Sequence, residues 1–147
     1  MSIGQLRVRQ DIEMKISRVP DGFYHAHIHV ISNYKGDEIR RYFKQKFDVE
    51  YDFKENGETK FGTHFTVSNK DNSDVRHFIC IQEFQWTVAQ QALVIHEVFH
   101  MISDILRDIG IPHTKDTEEA YAFYLQYMIQ RVLHFLLRDT GLLKKKK

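Results

Sequence analysis

The chain has 147 residues, 42% hydrophobic and 13% aromatic, which is apolar enough for one domain with a single core and too apolar for a disordered polymer. Its 21 basic and 20 acidic side chains nearly cancel, so no overall charge steers it toward nucleic acid. The lone cysteine, Cys80, excludes an internal disulfide framework. With no signal-like apolar start and no run of about 18 apolar residues, a cytoplasmic chain off the membrane is expected.

The expected organisation is one domain over 1–147, with a strand-rich part to about residue 85, a helical part over about 86–141 and a basic tail at 142–147. FYHAHIHVIS (23–32) alternates, with Tyr24, Ala26, Ile28 and Val30 on one face and His25, His27 and His29 on the other. Alternate histidines can bind a metal, but alternate polar residues also make an ordinary solvated sheet face, and the latter is expected. After the turn NYKGD, EIRRYFKQKF (38–47) has helical spacing. EYDFK (50–54) and KFGTHFTVS (60–68) flank the hairpin signal Asn56-Gly57, and DNS (71–73) turns the chain into the strand VRHFICIQEF (75–84). Cys80 reads as a small buried hydrophobe of that strand.

Thr87 with Gln90 marks a helix start, and Gly110 marks the end of VAQQALVIHEVFHMISDILRDIG. Ile95, Val98, Ile102, Ile105 and Ile109 give the expected buried stripe. A second helix starts at Asp116 or Thr117, where Asp116 and Glu119 form a D-x-x-E box, and runs to Gly141. Its aromatic surface is expected to be mostly core, the rest serving as a homo-oligomer face or partner groove. Strands first and helices last define an α+β fold: a small N-terminal mixed or antiparallel sheet with one short helix, then two long helices.

The first long helix carries VIHEVFH, in which His96, Glu97 and His100 match H-E-x-x-H. Nine histidines and nine glutamates give about 0.03 chance matches in a chain of this composition. Residues four apart lie one above the other on a helix face, so both imidazoles can meet one Zn²⁺. Glu97 is rotated about 100° from His96 and can act as general base on metal-bound water. Ser103 and Leu106 stand where a metzincin has Gly and its third His, which excludes that arrangement. Glu118 and Glu119 on the next helix are the remaining candidates for a third ligand. One can cap while the other binds, and Glu119 is taken as the ligand.

IHEVFHMISDIL followed by IPHTKDTEEAYAFYLQYM resembles the small zincin-type proteins of tailed bacteriophages and prophages. It is more distantly similar to ImmA/IrrE-type metallopeptidases. The likeness covers about residues 92–138 and is anchored on His96, Glu97, His100 and Glu119-Ala120. It implies a gluzincin-like site holding one Zn²⁺, peptide or protein as substrate, and the host cytoplasm as location. Where gluzincins have an Asp four residues beyond the ligand Glu, this chain has Phe123, leaving Asp104 and Asp116 as candidates to orient a ligand histidine. Tyr121, Tyr124, His113 and His77 are candidate oxyanion donors, and VRHFICIQEF is expected to offer a sheet edge to an extended peptide. His64 and His134 have no partner that the sequence identifies. The expected function is a zinc-dependent peptidase. The alternative is a phage structural or host-interaction module on the same scaffold, with a structural or lost metal site.

Overall fold

The computed structural model describes residues 13–50, 62–71 and 73–142. The expected strand at 50–54, the Asn56-Gly57 hairpin and the tail lysines lie outside them, apart from Glu50. The elements in chain order are β1 (Lys15–Val19), β2 (His27–Ser32), α1 (Gly36–Phe47), β3 (Gly62–Ser68), β4 (Val75–Ile81), α2 (Val88–Asp108), a 3₁₀ turn (Lys115–Thr117) and α3 (Glu118–Asp139). The fold is the expected α+β, with a mixed four-stranded sheet ordered β1-β2-β4-β3.

β4 is central. It pairs parallel with β2 through His29↔Phe78 and Ile31↔Cys80, and antiparallel with β3 through His64↔Ile79. A strand with neighbours on both sides must bury both faces. Ile79 and Ile81 join Ile28, Val30 and the apolar sides of α2 and α3, whereas Phe78 and Cys80 pack with Ile31, Ile39 and Phe43 under α1. The sheet is thus the middle layer between α1 and an α2–α3 helical hairpin. Among the described residues the edge beside α2 is β3, so the expectation that VRHFICIQEF supplies a free edge is corrected: both sides of its strand are occupied. β1 was not anticipated, because its pattern is mostly exposed.

Thr87 caps α2 by accepting the Gln90 N–H at 3.2 Å, and Gly110 leaves the helix in the left-handed conformation at φ 87°. The buried stripe of α2 is Val94, Val98, Met101, Ile102, Ile105 and Leu106. Ile95 and Ile109 are instead 41% and 49% exposed. The helix is turned so that residue 94 faces the sheet, which shifts the stripe by about 100° at that end. The α3 start also differs from expectation. Thr114 and Thr117 cap the 3₁₀ turn reciprocally, and no Asp116 cap is made. Tyr121, Tyr124, Met128, Val132 and Leu136 of α3 are buried, as the core reading expected. No helix among the described residues is long and apolar enough to cross a membrane.

The strand at 23–32 begins four residues later than its alternation suggests. Asp21 is the cause. Its buried carboxylate accepts from the main-chain N–H of Phe23, Tyr24 and Ala26 and from the Tyr124 hydroxyl at 2.7 Å. The loop wraps this carboxylate, and His25 takes a left-handed φ of 57° there. Removing the carboxylate would orphan several donors at once. Asp21→Ala is expected to lower the unfolding free energy by about 3 kcal/mol, and Tyr124→Phe by about 1–2 kcal/mol, in urea titrations. Equal losses in the two variants would contradict the shared-acceptor role.

Candidate metal centre

The core-facing stripe of α2 leaves His96 and His100 exposed on its flank. Their Nε2 atoms converge to 3.1 Å. Two ligand nitrogens at about 2.0–2.1 Å from one tetrahedral zinc stand about 3.3 Å apart, so little rotation separates this geometry from chelation. Without a cation the same contact is a hydrogen bond, one ring donating its Nε2–H to the other.

Glu97 is half-buried, and its carboxylate accepts from the main-chain N–H of His64 on β3. Burial raises its pKa above the ordinary carboxylate range, while the His64 N–H and the two neighbouring imidazoles pull it partly back. That N–H is not spent on β4, so the edge strand reaches across to α2 and holds the acid in place.

His64 draws its ionisable partners from β4 and α2. Its ring stacks on His77 with centroids 5.4 Å apart, its Nε2 lies 3.1 Å from His77 Nδ1, and its Nδ1 lies 3.8 Å from Asp104 Oδ2. Burial, then His77 and His100, lowers the His64 pKa to about 4. Burial also lowers that of His77, against the opposing pull of Asp104 and Asp108. The sheet register could have paired them in advance, since Thr66 lies opposite His77 and His64 sits two residues along the same face.

The structure brings the Nε2 atoms of His96 and His100 together, with Glu97 one residue along the helix, and does not gather Glu119 with them. Among the described residues no three His, Cys, Asp or Glu side chains gather about one point. The reason is length: α2 continues eight residues beyond His100, about 12 Å, before the chain turns back. The first turn of α3 therefore lies beside that loop, where the Tyr121 hydroxyl donates to the Ile111 carbonyl at 2.7 Å. Glu118, Glu119 and Asp116 are all exposed. Asp104, one turn beyond His100, faces His64 and Arg107. Of the candidate oxyanion donors, Tyr121 and Tyr124 spend their hydroxyls on Ile111 and Asp21, and exposed His113 lies tilted at 60° against the Tyr121 ring. His77 is the one packed against β3, within the sheet that borders the pair. His29 stacks on Phe78 under α1, whereas His25 and His27 are exposed, so the solvated face expected there ends at His27.

No protein-family model, no curated protein and no solved structure matches the chain.

A histidine whose folded pKa is depressed binds its proton in the unfolded chain first. Stability from His64 is thus present above about pH 6.5 and is lost as pH falls toward about 4. In metal-free buffer, unfolding titrations are expected to show a loss on the order of 3 kcal/mol attributable to His64 across that window, absent in His64→Gln. An unchanged pH slope in the variant would refute the burial of a neutral ring.

Proposed function

We propose that the chain is a zinc-dependent peptidase acting on peptide or protein substrates, with a gluzincin-like centre on α2. The observation that carries this reading is the 3.1 Å convergence of the His96 and His100 Nε2 atoms with Glu97 held one residue along. His96 and His100 fit a zinc ion as two nitrogen ligands, while Glu119, the third ligand expected from the sequence, is not gathered with them among the described residues. A bound zinc supplies an activated water and a Lewis acid for the substrate carbonyl.

The chain's own residues divide the remaining work. Glu97 receives the proton at its carboxylate and returns it to the leaving amine. Burial raises its basicity toward the working pH, and the His64 N–H fixes its direction. Because that main-chain N–H of β3 points outward, the period-two pleat turns the main-chain groups of Thr66 to the same side, where an extended peptide can pair.

A second reading, an interaction module whose metal is structural or lost, is favoured by the ungathered third ligand. The two diverge in Glu97→Gln. For the peptidase, the zinc on the α2 pair is retained while peptide hydrolysis falls by about 10²–10⁴-fold, and His96→Ala lowers the zinc content by one per chain. Hydrolysis indifferent to Glu97→Gln, or no zinc on protein purified without an affinity tag, would sink it.

Glu119 is tested separately by zinc competition. With α3 placed as described, Glu119→Gln should change zinc affinity by less than about threefold. A loss of about 10–100-fold would mean that the α3 start closes onto the histidine pair when metal arrives.

A further inference from the structure

Beside the α2 pair lies a second set of donor atoms. His64 Nε2, His77 Nδ1 and Thr66 Oγ1 form a triangle with edges of 3.1, 3.3 and 3.5 Å. One face of a tetrahedral zinc site, with bonds of about 2.0–2.2 Å, has edges of about 3.3–3.5 Å. We infer that this triangle is a second binding site for a borderline divalent transition metal of the Zn²⁺ or Co²⁺ kind, held by the imidazoles of His64 and His77 with the Thr66 hydroxyl.

Four further observations support it. The site is built: the His64 side chain is 7% exposed and His77 is 3% exposed, so neither ring is a stray surface group. Burial keeps both rings neutral, which leaves a lone pair on each. The Asp104 carboxylate beside His64 Nδ1 favours the proton on that nitrogen, so Nε2 presents its lone pair to the triangle, as the carboxylate-backed histidines of metal sites do. Access exists as well. Exposed Thr66 lines an open pocket of about 450 Å³ together with Ser68, Val75 and Asp108, so a cation can enter and Asp108 or water can take the fourth position. Two imidazoles select against Mg²⁺ and Ca²⁺.

This site stands apart from the peptidase reading, since it uses neither His96 nor His100. Three His, Cys, Asp or Glu donors are not gathered here either, because the third corner is a hydroxyl.

The test is equilibrium dialysis of the untagged full chain carrying His96→Ala and His100→Ala, with Zn²⁺ alone, and with Co²⁺ read by its visible absorption. One metal per chain is expected in that background. His77→Gln should abolish binding, and the isosteric Thr66→Val should weaken it about tenfold, with the fold checked by circular dichroism. Should His77→Gln not fold, Thr66→Val at its exposed position decides alone. Absence of metal in the starting double variant, or retention unchanged in every folded triangle variant, overturns the inference. If instead only the α2 pair fails to bind, the wild type holds one metal that is lost with the triangle.

Discussion

The structure depends on one constraint: β4, at the middle of the sheet, must be covered on both faces. Phe78, Ile79, Cys80 and Ile81 are all fully buried. Alternating side chains send two of them to α1 and two to the helical hairpin, so neither layer is dispensable. The rotational setting of α2 follows from this. With Val94, Val98, Met101 and Ile105 turned to the core, the helix has only its flank left for ionisable groups, and that flank borders β3. Each large apolar side chain buried here contributes about 1.5–3 kcal/mol.

His64 is the residue of β3 that links this flank to the sheet's polar groups. The main-chain N–H of His64 restrains Glu97, and its side chain meets His77, Thr66 and Asp104. Opposed electrostatic demands meet here. Burial makes Glu97 harder to ionise and makes His64 and His77 harder to protonate, so all three tend toward neutrality in the absence of a cation. A divalent ion would reverse that balance by pairing with lone pairs that water reaches poorly.

Local signals in the sequence located most of the fold. Thr87 and Gly110 bounded α2 because capping chemistry is set within a few residues. The helix at 36–47 and the strands at 62–68 and 75–81 fell where their spacing put them. What escaped was non-local. Ile95 and Val94 are neighbours, and only the sheet decides which of them faces inward. The strand order 1-2-4-3 made β4 central and gave the edge to β3, and no periodicity within a strand encodes that. Asp21 holds a loop through a residue 103 positions away, so FYHAHIHVIS read as one strand from its start. The candidate site divided in the same way. His96, Glu97 and His100 were visible because one helical turn relates them. His64 and His77 required the pairing of two strands, and the place of Glu119 required knowing how the two long helices pack.

The Asp21–Tyr124 hydrogen bond and the Ser17–Asp139 contact tie the first described strand and its following loop to the last helix, across 103 and 122 residues. On the ribosome, the carboxylate at 21 emerges long before the hydroxyl that completes its shell. The loop after β1 therefore waits until the helix Glu118–Asp139 has been made and docked. Closure of this clasp comes after all four described strands have been synthesised, and the nascent sheet must stay out of intermolecular pairing in the meantime.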